Sequence, residues 1–150
     1  MSVDENKQLV VRQFELLSQG QTSAAAALWA EKCWNHGRET SPAVVEKIYA
    51  SLRALDEKHV IHEIIGEGDW VAVRTTCTGS YSKNPEFPVN SGIFSTIPPN
   101  GRTYSNQHLH LFRIDDGKLV EHWANRDDLG VAQQIGLHLE PMWQHPAGIH

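Results

Sequence analysis

The chain has 150 residues, 40% of them hydrophobic and 21% charged, with 13 basic against 18 acidic side chains and a formal net charge of −5. These proportions match a globular domain able to bury a sizeable core without disulfide or metal staples, and they exclude collagen-like, coiled-coil and disordered classes. The acidic balance and the lack of any Lys/Arg run argue against nucleic acid or an anionic membrane surface as partner. The longest apolar run, Ala24 to Ala30, spans seven residues, far short of a membrane-crossing helix. Met1-Ser2-Val3-Asp4-Glu5 is acidic and lacks the apolar stretch of a signal peptide, so a cytoplasmic address is expected. Cys33 and Cys77 belong to no metal or redox spacing and read as buried thiols. A single domain over residues 1–150 is expected, with its core at about 6–136 and a tail at 137–150.

In chain order, Ser2 with Glu5 has the form of a capping box, and Val10, Phe14 and Leu17 recur at helical spacing, so a first helix is predicted from about Asp4 to Gln19, stopped by Gly20. Thr22 or Ser23 begins a second, alanine-rich helix through Trp29. Cys33-Trp34-Asn35-His36-Gly37 reads as irregular. Ser41-Pro42 then starts a third helix with Val45, Ile48, Leu52 and Leu55 on one face. From His59 the period drops to two, with strands at Val60 to Ile65 and Trp70 to Thr78 joined across Gly68-Asp69. The proline-rich stretch Ser82 to Asn100, with an apolar island at Ile93-Phe94, reads as a long loop or flap. Two final strands, about Tyr104 to Ile114 and Lys118 to Arg126, meet at the hairpin signal Asp116-Gly117, and a short helix runs from about Asp128 to Ile135. Helices followed by strands define an α+β domain.

The polar side chains of the last hairpin are the candidate site. If Asp116-Gly117 is a two-residue turn in a regular ladder, His110 lies opposite Trp123, His108 opposite Asn125 and Asn106 opposite Asp127, and all six share one face. Two imidazoles, two amides and a carboxylate are unusual decoration for a solvent face and fit a wet pocket better. The other face, with Leu109, Leu111, Val120, His122 and Ala124, is then the blander one. A bulge anywhere in the ladder reverses half of this assignment. Other readings stand beside the pocket. His108 and His110 fit a dimer interface, Asp127 fits a helix N-cap, and Trp34, Trp70 and Trp123 fit a core. His108-x-His110 has the form of a metal pair, but a third ligand is required, and no spacing obliges Asp127 or His36 to supply it, so no metal is expected. Serine-nucleophile, phosphate-loop, zinc-protease and dinucleotide signatures are absent, which leaves proton transfer.

Five segments, Asn6 to Phe14, Trp34 to Gly37, Gly68 to Arg74, Ile97 to Arg102 and above all His110 to Gly136, resemble the SnoaL-like polyketide cyclases of the nuclear transport factor two-like superfamily. The resemblance implies a cone in which three N-terminal helices close a curved antiparallel sheet around a pocket, usually paired into a homodimer through the sheet. It also implies aldol ring closure of a polyketide ester by an aspartate near the end of the last long strand, with no metal or cofactor. On the matching positions, Asp127 is the acid/base, His110 a polar pocket residue and His36 the histidine after the second helix; on the shared face read above, His108, His110 and Asn125 then donate to the enolate oxygen, with Asn106 beside them and Trp123 and Trp34 as apolar walls for a small hydrophobic carbonyl compound. A ketosteroid-isomerase-like proton shift and a non-catalytic ligand-binding module are the alternatives that the same fold hosts. An epoxide-hydrolase-like Asp-Arg-Asp set lacks an evident second aspartate beside Arg126 and Asp127.

Overall fold

A computed structural model describes residues 2–140, so Pro141, Trp143 and Pro146 of the predicted tail lie outside it. Helix α1 covers Val3–Ser18. Its capping box forms as the sequence predicts, Glu5 N donating to Ser2 Oγ at 3.2 Å and Ser2 N to Glu5 Oε2 at 2.6 Å. Gly20, at φ +72°, turns the chain while Gln21 N closes back on Leu16 O at 2.9 Å. Helix α2 is only Thr22–Ala26, shorter than predicted. Lys118 Nζ takes the Ala27 carbonyl just beyond its end, and Trp29 is drawn out of the helix to bury its ring with Nε1 donating to Tyr49 Oη at 2.9 Å.

The segment read as irregular is a hairpin. Strands β1, Trp29–Asn35, and β2, Arg38–Thr40, turn at His36 and Gly37, both with positive φ (51° and 73°). That is the geometry of a primed two-residue turn, with histidine where Asn or Asp usually gives the signal. Helix α3 follows over Pro42–Ala54 with Pro42 in its first turn. Strands β3, Lys58–Glu67, and β4, Trp70–Tyr81, meet across Gly68-Asp69 as expected.

The proline-rich stretch is not a flap over the site. It holds one 3-10 turn, Asn90–Ser95, and Phe94 is buried to 1% exposure against Tyr81 and Tyr104. Because Ile93-Phe94 is the apolar island, the segment plugs one end of the sheet in a second core with Leu55, Val131 and Ile135. Strands β5, Arg102–Asp115, and β6, Lys118–Arg126, and helix α4, Asp128–Gln134, complete the chain.

The sheet order is β2-β1-β6-β5-β4-β3. All neighbours are antiparallel except β1 and β6, which run parallel. Helices α1 to α3 cover one face, whose main core includes Val10, Phe14, Trp29, Tyr49, Val71, Val73 and Phe112. This is the α+β cone that the resemblance implies.

The predicted register holds only at the turn. Asp115 pairs with Lys118 and Ile114 with Leu119, but Arg113 then pairs with Glu121, so Val120 is an extra residue in β6. A bulge there lets the adjacent Leu119 and Val120 both stay buried, at 0% and 8% exposure, where a regular strand would expose one of them. Beyond it every β6 side chain changes face. His110 lies opposite Ala124 and His108 opposite Arg126, while Leu111 faces Trp123 and Leu109 faces Asn125.

Gly79 makes room for a side chain that the site uses. It pairs with Tyr104, whose ring crosses it so closely that an added Cβ would sit 2.4 Å from Cζ and Oη. Gly79→Ala is therefore expected to cost about 1–3 kcal/mol by overpacking, read as a lowered urea midpoint at unchanged slope. An unchanged midpoint would contradict the placement of the Tyr104 ring.

Candidate active site

The helix-facing side of the sheet carries its polar groups in cross-strand rows. One row is His59, Cys77 and Asn106, and the next is Ile61, Thr75, His108 and Arg126. His110 follows with Ala124, and Phe112 with His122 and Asn35. Four imidazoles thus lie together. Ring centroids are 5.1 Å apart for His59 and His108, 5.7 Å for His59 and His110, and 5.3 Å for His110 and both His108 and His122. Phe14 of α1 covers this group, 5.3 Å from His59 and 5.4 Å from His110.

Hydrogen bonds fix how each ring is turned. His59 Nδ1 lies 3.0 Å from Thr75 Oγ1, and His108 Nε2 lies 3.2 Å from Asn106 Oδ1. His110 Nδ1 lies 3.0 Å from His122 Nε2, and His122 Nδ1 lies 2.9 Å from Asn35 Oδ1. Burial is the first cause that pushes these imidazoles down, to about 4 for His59 and about 3 for His108 and His122, with His110 lowered as well. Neighbouring rings and the Arg126 guanidinium push His108, His110 and His122 the same way. All four are therefore neutral near pH 7. Arg126 itself is held by Asp128 through contacts of 3.1 and 3.2 Å.

A carboxyl that sequence reasoning passed over reaches this group. Glu57 follows α3, and its Oε1 accepts from Tyr104 Oη at 2.8 Å and from Asn90 Nδ2 at 3.3 Å. Burial raises its pKa, opposed by those two bonds. Donor atoms of Glu57, His59 and Cys77 lie within 4.8 Å of one another. Glu57 and His59 line a cleft of about 200 Å³ between the end of α1, α3 and the start of β3, with Leu17, Tyr49 and Leu52 as apolar walls. Asn106, 6% exposed, points an amide Nδ2 that has no partner among the described residues.

Of the predicted site residues, Asn106, His108 and His110 come together on the inner face. His36 sits at the rim, in the β1–β2 turn, with its ring 5.6 Å from that of His122. Trp123, Asn125 and Asp127 are elsewhere because of the extra residue at Val120, and Trp34 because it alternates with the inward Cys33 and Asn35 of β1. Trp123 is 42% exposed and donates to Glu121 Oε1, and Asn125 is exposed. Trp34 lies on the outer side under the Lys32 ammonium, 5.6 Å from the ring centroid. Asp127 is exposed and caps α4, its Oδ1 accepting from Gly130 N at 2.9 Å. Across from His110, where the regular ladder would have set Trp123, stands the methyl group of Ala124.

A helix-covered α+β cone with a neutral, histidine-lined interior, bordered by the half-buried Glu57 carboxyl, is a framework of the nuclear transport factor two-like kind. The SnoaL-like polyketide cyclase family profile matches residues 8–135, and the chain belongs to that family. An aklanonic acid methyl ester cyclase of Streptomyces sp. (strain C5) is 30% identical over 149 residues, covering 93% of this chain and 84% of that one. Another, from Streptomyces peucetius, is 33% identical over 97 residues, covering 63% of this chain and 58% of the relative's length. Among solved structures, AclR, a proposed hydroxylase from Streptomyces galilaeus, superposes with a TM-score of 0.71 at 26% identity, covering 90% of this chain and 98% of that one.

Because Asp127 holds the first turn of α4, Asp127→Ala is expected to lower stability by about 1 kcal/mol, measured by equilibrium denaturation. A loss well above 2 kcal/mol would mean that the carboxylate does more structural work than a cap.

Proposed function

We propose that this protein is a polyketide cyclase that closes a ring by intramolecular aldol addition, with Glu57 as the acid/base in place of the expected Asp127. The observation that carries this is the placement of Glu57, a half-buried carboxyl lining the cleft, beside His59 and against the Tyr104 hydroxyl. Family membership and the two ester-cyclase relatives support the substrate class, a polyketide ester such as aklanonic acid methyl ester.

In the proposed reaction the Glu57 carboxylate removes a proton from carbon between two carbonyl groups, where the acidity is highest. The enolate carbon forms a bond to a second carbonyl of the same molecule, and Glu57 returns its proton to the resulting alkoxide. The balance is redox-neutral, one C–H and one C=O π bond giving one C–C and one O–H bond. Tyr104 and Asn90 hold the carboxyl in place, and the free Asn106 amide is the donor for the enolate oxygen. His108 and His110 stand behind His59 as neutral polar edges, while Leu17, Tyr49 and Leu52 of the cleft take the substrate's apolar part. The cleft is at the small end for ligand pockets, so it receives the reacting end of a polycycle and leaves the remainder at the mouth.

The homodimer belongs to the same proposal. Leu109, Leu111 and Trp123 stand 57%, 39% and 42% exposed on the outer face of the sheet, where a second copy would cover them. Leu109→Lys is expected to shift the protein to monomer in light scattering, and unchanged association would remove this face from the interface.

For the chemistry, Glu57→Gln and Asp127→Asn are compared on aklanonic acid methyl ester by product mass and retention. Glu57→Gln is expected to lose roughly 100-fold or more in kcat, the usual contribution of a general base, while Asp127→Asn stays within a few-fold of the parent. Comparable turnover by Glu57→Gln would sink the assignment. Binding without turnover by the parent protein would favour a ligand-binding module.

A further inference from the structure

We propose that His59, His108 and His110 form a three-histidine site for a divalent transition-metal ion of the zinc type, on the inner face of the sheet behind the cleft that His59 lines. The sequence offered two of these ligands as His-x-His and no third. The third comes from β3, brought alongside by its pairing with β4, and neither His36 nor Asp127 is involved.

One ring nitrogen from each of the three side chains lies within 4.8 Å of the other two. Zinc–imidazole bonds of about 2.0–2.1 Å place tetrahedral nitrogens roughly 3.4 Å apart, so ring rotations that draw the longest edge in by at most about 1.4 Å complete the site.

Fixed acceptors orient the lone pairs of these rings. Asn35 Oδ1 can only accept, so His122 Nδ1 carries the proton and its Nε2 is bare. That bare nitrogen accepts from His110 Nδ1, which leaves His110 Nε2 as an unprotonated lone pair. Asn106 Oδ1 likewise accepts from His108 Nε2 and leaves Nδ1 bare. These two nitrogens, His110 Nε2 and His108 Nδ1, are both buried and have no hydrogen-bond partner among the described residues. His59 engages Thr75 through Nδ1, which leaves Nε2 as its remaining ring nitrogen. Two orphaned lone pairs beside a third imidazole lack any donor, and a cation satisfies them together.

Each ligand is also supported from behind. Metal-binding imidazoles generally donate their second N–H to an oxygen or nitrogen acceptor that fixes the ring. Thr75, Asn106 and the His122–Asn35 pair occupy those positions here, one for each ligand. Three neutral nitrogen ligands suit zinc, cobalt, nickel or copper over magnesium or calcium, which prefer oxygen. The site does not rest on the catalytic role of Glu57. If both hold, the ion would lie beside that carboxyl, where it would polarise the carbonyl whose neighbouring carbon loses its proton.

The test uses the full chain, dialysed against a chelator and titrated with Co²⁺ and, in competition with a chromophoric chelator, with Zn²⁺. One equivalent is expected to bind, with the visible absorption of a four- or five-coordinate cobalt centre. His110→Gln and His59→Gln are expected to weaken binding by roughly 100-fold or more, and Asn35→Ala by about 10–100-fold through the lost support. In ¹⁵N-histidine spectra of the unmutated protein, Zn²⁺ should shift Nε2 of His110 and Nδ1 of His108, which keeps the test valid where a variant fails to fold. Binding no tighter in the parent than in His59→Gln/His110→Gln, or zinc shifts confined to other histidines, would overturn the proposal. Because the readout is metal binding, that failure leaves the Glu57 assignment untouched, and failure of Glu57→Gln to lose turnover leaves the metal site untouched.

Discussion

The interior of this protein depends on one unpaired residue. Val120 adds a bulge to β6, and because strand side chains alternate, one extra residue exchanges the faces of everything after it. With the bulge, His122, Ala124 and Arg126 face the helices, and Trp123 and Asn125 face outward. The reason is apolar burial at the adjacent Leu119 and Val120. Each is worth roughly 1.5–3 kcal/mol when fully buried, more than a regular ladder would return by exposing one of them. The arrangement of the site is thus a by-product of packing where β6 leaves its turn beside β1.

The consequences reach the chemistry through neutral polar groups. His122 enters the interior only because of the shift, and once there it relays the Asn35 carbonyl to His110, setting the latter's tautomer. The same shift sends Asp127 to the surface as a helix cap and leaves the position facing His110 to an alanine. The interior therefore has its carboxyl at Glu57, at the far side of the imidazole group, reached from α3 and not from the last strand. Tyr104, seated over Gly79, ties that carboxyl to β5.

Most of the framework was legible in the sequence. The capping box at Ser2, Pro42 at the start of α3, the turns at Gly68-Asp69 and Asp116-Gly117 and the change of period at His59 each have a local cause, and each places its element within a few residues. Asn106, His108 and His110 lie on one strand, so their shared face follows from alternation alone. What failed required non-local information. A bulge depends on which of two neighbouring apolar residues the sheet's surroundings can bury, and Leu119-Val120 was its visible mark. Trp29 leaves the second helix because Tyr49, twenty positions on, offers its hydroxyl. His59 and Glu57 carry no motif, and only the pairing of β3 with β4 and of β4 with β5 brings them to the other histidines.

The register of the last hairpin is the claim on which the site stands, and interstrand nuclear Overhauser contacts read it directly. The account predicts backbone contacts between His110 and Ala124 and between Leu111 and Trp123, with the His110 and His122 rings close to each other. Contacts pairing His110 with Trp123 and His108 with Asn125 would restore the regular ladder, place Asn125 among the imidazoles and bring Asp127 back to the inner face, and would contradict the account.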